Sequence, residues 1–280
     1  MKEKVGVAVV TYNRPDYLKN LLDSLVACYD VIDELIVVND GDHVKYNLEK
    51  GTWLDNPVNL GVGKTKNLAI KHLLAKECDY IFVLEDDIII KDKEVFNQYI
   101  KASKTSGIQH FNFGPGTPFN RKQEIRAYDL HNRHELSNKS IPTPRLTIDY
   151  KDIKVDLYEH CAGLFSFFTK EILNTVGLHD ESFLNAWEHV DHTYRIIQEK
   201  GHPPFWWFAD INRSVDYLHV QEDALKESST SKNKEQWFEN IRKGREIYRD
   251  KHGFYPNMAP QVSKEEVIQI LKEVKQKWKI

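Results

Sequence analysis

The sequence predicts an α/β domain with a mostly parallel central sheet and a helical extension at its C-terminal end. Three observations carry this. Short runs of aliphatic and β-branched residues stand at 5–10, 35–38 and 80–84, a length and composition that suit strands buried on both faces of a parallel sheet. Between them, residues 15–28 and 64–75 repeat their apolar positions at helical spacing, so one stripe of each faces the sheet. Each strand-like run then ends in polar or acidic residues, at 11–14, 39–42 and 85–87, and open α/β sheets gather ligands at the carboxyl ends of their strands.

The bulk numbers narrow the class. A chain of 280 residues with 41% hydrophobic and 29% charged residues is an ordinary globular protein with room for a large core. Its net charge of -3 gives no electrostatic case for nucleic acid. Cys28, Cys78 and Cys161 are widely spaced and lack CxxC pairing, which supports neither a disulfide framework nor a zinc site. The first apolar run is too short for a secretory leader or a membrane span, so a cytoplasmic location is expected.

The run at 80–90 organises the chain: YIFVL, then Glu85, Asp86 and Asp87, then III. Three adjacent carboxylates repel one another and lose hydration at an enclosed strand end, so a hard divalent cation, Mg2+ or Mn2+, is their natural partner. Upstream, Pro15 opens a helix with Leu18, Leu21, Leu22 and Leu25 on one stripe. The second strand ends at Asp40, expected beside the 11–14 loop. The turn-rich 56–63 segment leads into the helix at 64–75. There Gly63-Lys64-Thr65 copies the tail of a P-loop, but Val58 stands where that loop needs glycine, which obstructs the wrap around phosphate. Lys66, on the first turn of this helix, is the better-placed cation for a diphosphate.

Downstream, residues 92–106 read as a helix and 108–113 as a strand. Residues 114–149 show no sustained period and carry Arg121, Lys122, Arg126, His131, Arg133 and His134, a segment expected to form an acceptor wall or lid. Residues 156–168 read as one strand, with Ala162-Gly163 allowing close approach of a chain or ligand. Thr169 caps the next helix and Gly177 ends it. A further helix begins within 185–195, placing Glu188, Asp191, His192 and Arg195 on one face. An ion pair between Asp191 and Arg195 is the plainer reading of those two. The aromatic run at 205–208 reads as core, and His219 as an ordinary surface or core histidine. Helices at 234–252 and 264–278 close the chain, the last with an apolar stripe that could dock on the domain or meet a partner or a membrane.

Taken together, VVTYNRP, IVVNDGD, NLGVGKTKN before LEDDI, and GLHDESFLNAWEHVDHTYR resemble the GT-A glycosyltransferases, especially the inverting family 2 type, across most of residues 4–195. The resemblance implies a GT-A nucleotide-binding α/β/α sandwich, with residues 1–223 as catalytic domain and 224–280 as helical extension. Within the former, 1–113 is the nucleotide-sugar half and 114–223 the acceptor half. It also implies that Thr11, Tyr12, Asn13, Arg14 and Asp40 hold base and ribose, with Gly61, Lys66 and Asn67 near the nucleotide. Glu85-Asp86-Asp87 is similar to the family's DXD motif, with Asp86 at the ribose and Asp87 on the metal. His219 is similar in placement to a histidine that completes the metal shell in some members.

One departure concerns the base, because family 2 enzymes usually carry Glu-Asp where this chain has Glu188-His189. Glu188, His189 and Asp191 all stand as candidates. The activity implied is metal-dependent transfer of a sugar from a nucleotide-sugar, a UDP-sugar foremost, to a glycan or glycoconjugate hydroxyl, with a bacterial surface polysaccharide as the setting. The rivals are a nucleotidyltransferase, a P-loop NTPase and a non-catalytic module that only binds nucleotide-sugar or a partner. The first two lack their glycine-rich phosphate loops.

Overall fold

The computed structural model describes residues 2–43, 46–120, 142–221, 224 and 233–278. A six-stranded sheet forms the centre, in the order β3-β2-β1-β4-β9-β6. Strands β1 (Val5–Thr11), β2 (Glu34–Asn39), β3 (Thr52–Asp55) and β4 (Tyr80–Glu85) pair in parallel. Strand β9 (Phe165–Thr169) returns antiparallel beside β4, and the short β6 (His110–Asn112) closes that edge. The sheet is thus parallel on one side of β4 and antiparallel on the other.

Alternation along the strands explains the two helical layers. Val5, Val7 and Val9 of β1 with Tyr80, Phe82 and Leu84 of β4 meet α1 (Pro15–Val26) and α3 (Glu94–Ser106). Ala8, Ile81 and Val83 point to the opposite face, against α2 (Val62–Ala75), α4 (Lys170–Val176) and α5 (Glu188–Gln198). A period of two on strands both of whose faces are covered gives this division. Thr169 does cap α4, its hydroxyl accepting the Ile172 N–H at 3.3 Å, and Gly177 does end it at φ +75.

The expected single strand at 156–168 is two strands in two sheets. Strand β8 (Lys154–Tyr158) lies between β7 (Leu146–Asp149) and β10 (Phe208–Ile211) in a small antiparallel sheet, whereas β9 belongs to the main one. The intervening 159–164 segment turns past the ends of both sheets, so one apolar stretch serves two layers. Asp210 of β10 ties the small sheet to the core: Tyr99 and Ser214 hydroxyls each donate to it at 2.5 Å, and the Gly114 N–H at 3.0 Å. Past Asp87 the chain forms β5 (Ile88–Ile90), which pairs antiparallel with β11 (Leu218–Val220). The basic residues at 121–134 lie outside the described residues.

Helices α6 (Lys234–His252) and α7 (Lys264–Lys277) pack on this body. The apolar stripe of α7, Val267, Leu271 and Val274, joins the same core cluster as β1 and β4, and the Trp278 indole donates to the Lys200 carbonyl at 2.8 Å. Of the three occupants the sequence left open for this stripe, the domain itself covers it. No helix among the described residues is long and apolar enough to cross a membrane.

The space between α5 and the sheet holds four buried histidines. His110 donates from Nδ1 to the Phe167 carbonyl at 2.8 Å and accepts from Thr193 at 3.0 Å. His192 donates from Nε2 to the Gly177 carbonyl at 2.9 Å and lies 4.3 Å, centroid to centroid, from His179. His202 sits 5.5 Å from His110. Burial pushes all four toward neutrality, His110 down to about 4 and His179 to about 3, with His192 and His202 well below the ordinary value.

Candidate active site

Three strand ends converge. The Thr11 hydroxyl at the tip of β1 donates to Asp86 Oδ2 at 2.6 Å, and the fully buried Asp86 also pairs with Arg14. Arg14 Nη1 reaches Asp87 Oδ2 at 3.6 Å. The other oxygen, Asp87 Oδ1, is buried without a hydrogen-bond partner among the described residues. Burial raises both carboxyls, Asp86 to about 6 and Asp87 to about 7; the negative charge of Glu85 adds to this and Arg14 opposes it. Two buried acids thus share one guanidinium.

The second half of the site is built around Lys66, fully buried on α2. Its ammonium donates to Glu85 at 2.7 Å, to the Gly163 carbonyl at 3.0 Å and to Glu188 at 3.5 Å. Three acceptors satisfy its three protons. Lys66 thereby clamps the tip of β4 to the N-terminal end of α5, an arrangement that differs from a lysine leaning toward a diphosphate. Gly163 permits this: a Cβ there would lie 3.2 Å from Lys66 Nζ and 3.2 Å from the His189 ring. The close approach read from Ala162-Gly163 is made by these two side chains.

Glu188 faces His189 Nδ1 at 3.4 Å as well as Lys66. Although burial opposes it, these two cations hold the Glu188 carboxyl below the usual range. Burial likewise opposes the charging of His189, but hydrogen bonds to Cys161 and Glu188 raise it to about 10. Both shifts favour the charged forms of the pair. Asp191, also fully buried, sits in a separate network: Arg195 Nε donates to it at 3.0 Å, Lys251 at 3.0 Å and His252 at 2.7 Å. It holds α6 to α5, so the plainer ion-pair reading describes it, enlarged by two residues of α6.

The remaining predicted residues sort by what they touch. Asp40 accepts from Asn56 at 2.7 Å and from the backbone N–H groups of Leu60 and Gly61 at 2.8 and 2.9 Å. Its carboxylate anchors the 56–61 loop, and Gly61 takes φ +84 there, a conformation glycine adopts without strain. Asn67 joins the 179–181 turn, donating to the His179 carbonyl at 2.9 Å and Glu181 at 3.0 Å. Tyr12 is exposed, and Asn13 accepts the Asp42 N–H at 2.7 Å. His219 lies exposed on β11, and among the described residues no group of three or more His, Cys, Asp or Glu could hold a metal by itself.

Sequence reasoning missed Gln221, two residues beyond His219. Its amide donates to the Tyr17 carbonyl at 2.8 Å and the Asp86 carbonyl at 2.7 Å, and its backbone N–H to the Asp87 carbonyl at 2.8 Å. Asn185 was missed too: it accepts the Val62 N–H at 2.8 Å and docks the start of α2 beside α5. A polar residue just past the end of a short strand is a weak signal for the former. The latter gave none.

This arrangement sits in a recognisable frame. The model of the glycosyl transferase family 2 matches residues 6–173, more than half of the chain. The chain belongs to that family. It is therefore a glycosyltransferase, and its sheet and helices have the GT-A arrangement. An uncharacterized glycosyltransferase, R363, of Acanthamoeba polyphaga mimivirus is 27% identical over 261 residues, 87% of this chain and 91% of that one. Galactofuranosyltransferase GlfT1 of Mycobacterium tuberculosis is 36% identical over 103 residues, 34% of either chain. Among solved structures, S. aureus TarS 1-349 in complex with UDP covers 97% of this chain and 70% of its own, at 15% identity and TM-score 0.52, a likeness of fold.

Proposed function

We propose that this glycosyltransferase moves a sugar from a UDP-sugar to a hydroxyl of a glycan or glycoconjugate, with inversion at the anomeric carbon and with Mn2+ or Mg2+ at Asp87. The observation that carries the reading is the unpartnered, buried Asp87 Oδ1 at the tip of β4, beside Asp86 and Glu85. Those oxygens suit a hard cation. Among the described residues too few ligands stand together to enclose one, so phosphate oxygens of the donor would complete the shell. When bound, the ion neutralises the charge that grows on the departing diphosphate. UDP as the nucleotide agrees with the fold likeness to a UDP-bound enzyme.

The chain's own groups do the rest. Thr11 orients Asp86, which is thereby fixed for the donor ribose. The Asp40 carboxylate holds the 56–61 loop, and Lys66 holds Glu188 level with Glu85. Glu188 is the proton acceptor for the attacking hydroxyl, because the shift of His189 favours its charged form, which has no free lone pair, and Asp191 is tied into the separate α5–α6 network of Arg195, Lys251 and His252. His189 steadies Glu188 and carries positive charge near the leaving group.

The test is a panel of nucleotide-sugars with and without Mn2+, read by release of the nucleoside diphosphate. Metal-dependent UDP release by the wild-type chain that Asp87→Asn abolishes is the expected result. Release that ignores both the metal and Asp87 overturns the metal-dependent reading.

A further inference from the structure

We infer that Arg14 is an internal counter-cation of the Asp86–Asp87 pair, placed so that the metal ion binds together with the nucleotide and poorly before it. The inference rests on the metal-dependent reading above and adds an order to it. Asp86 has its guanidinium partner in contact, and Asp87 Oδ2 has the same guanidinium at 3.6 Å. The group is held in place on its other sides by the Ala224 carbonyl at 3.4 Å and the Tyr17 ring at 5.7 Å. Glu85, the third acid of the run, is already matched by Lys66 at 2.7 Å. Arg14 therefore serves Asp87, the carboxylate a divalent ion would use, together with the buried carboxylate beside it.

Two cations cannot share a pair of buried carboxylates without strong repulsion, since the interaction between charges a few ångströms apart is poorly screened away from water. A nucleoside diphosphate removes that conflict. It brings negative charge for the metal and pairs of acceptor oxygens that a guanidinium can take bidentately, where Asp87 offers Arg14 one contact at 3.6 Å. Arg14 then has an alternative partner, and the unpartnered Asp87 Oδ1 is left to the ion. By linkage, whatever factor the nucleotide adds to metal affinity, the metal adds to nucleotide affinity. Lys66 cannot play this part, because its three protons are already taken.

The experiment is a Mn2+ titration of the purified full chain followed by electron paramagnetic resonance of the free ion, with and without UDP, in wild type, Arg14→Gln and Arg14→Lys. In wild type, UDP should tighten Mn2+ by about tenfold or more, within the usual span of coupling between sites. Arg14→Gln should bind Mn2+ without UDP about tenfold more tightly than wild type, with the gain from UDP reduced in step. Arg14→Lys keeps the charge and should stay near wild type. Equal Mn2+ affinity with and without UDP in the wild-type chain sinks the inference while leaving metal dependence intact, and this arm decides even if a variant fails to fold. An Arg14→Gln chain, folded by circular dichroism, whose nucleotide-free Mn2+ affinity is unchanged or weaker also sinks it. Absence of Mn2+ binding in every state, UDP included, overturns the metal reading itself.

Discussion

The acidic cluster at the tip of β4 and the histidine cluster under α5 are both buried and both titratable, yet they differ in electrical completeness. Desolvation acts on each by favouring the neutral form: it raises Asp86 and Asp87 and lowers His110, His179, His192 and His202. A neutral imidazole satisfies that demand with no partner charge, and the cluster packs as aromatic rings, His110 stacked on Phe168 at 4.4 Å. Its leftover atoms, His179 Nε2 and His192 Nδ1, are uncharged lone pairs. The acidic cluster is less complete, since two carboxyls share Arg14 and, among the described residues, Asp87 Oδ1 has no hydrogen-bond partner. The first cluster packs as a piece of core; the second is where the proposed metal and donor would bind.

The contrast breaks most sharply at Asp87. Asp87→Asn should lower transfer by about 10^3-fold, the upper range for loss of a group that stabilises developing charge, while circular dichroism shows a native fold. A large loss of helicity instead would make Asp87 a structural acid like those of the core.

Asp191 should behave in the opposite way. Asp191→Ala leaves Arg195, Lys251 and His252 without their common acceptor, and loss of one side of a buried ionic network costs about 3–5 kcal/mol. Chemical denaturation should show that loss, and the residual folded enzyme should keep its donor KM. A normal midpoint with abolished turnover would place Asp191 in the chemistry instead.

Within the Lys66 clamp, Glu188→Gln should reduce kcat by about 10^2-fold or more with little change in donor KM, as expected for a lost general base. His189→Asn should cost less, because it removes a neighbour of the base and not the base. The reverse ranking would move the proton acceptor to His189.

The smallest effect concerns pH. For each buried histidine the folded pKa lies below the unfolded value of about 6.5, so its stabilisation is present above that pH and is lost as pH falls toward the folded value. Asp86, Asp87 and Asp210, raised to about 6, about 7 and about 7 chiefly by burial, work the other way: folded, they keep protons that the unfolded chain has released. The wild-type slope between about pH 6.5 and 4 is therefore a difference of two sets. His192→Phe removes one member of the first set, and should make the slope of stability against pH less positive by about 1.4 kcal/mol per pH unit in that window. Denaturant midpoints for both chains across the window measure it, and parallel curves would show that His192 does not stay neutral in the fold.

Much of the fold was legible because the signals were local. Thr169 and Gly177 bound α4 as capping residues should, and α6 spans Lys234–His252, the range read from the sequence. The split of 156–168 into β8 and β9 was not legible, because an apolar run does not say which neighbours its backbone will pair with. In the site, the acids after β4 stood out by adjacency alone. His219 drew attention as a chemically distinctive residue, but it lies exposed on β11, and Gln221, just past the strand end, donates to the Asp86 and Asp87 carbonyls.

By itself, the order of residues determined which strands are buried on both faces, where their polar ends fall and which helices lie between them. These follow from short-range periodicity and from the cost of burying unpaired polar groups. Only the tertiary structure decided which charge meets which. Lys66 finds Glu188 across 122 positions and Asp191 finds His252 across 61. Such pairings depend on how layers pack, and no local pattern in the chain encodes them.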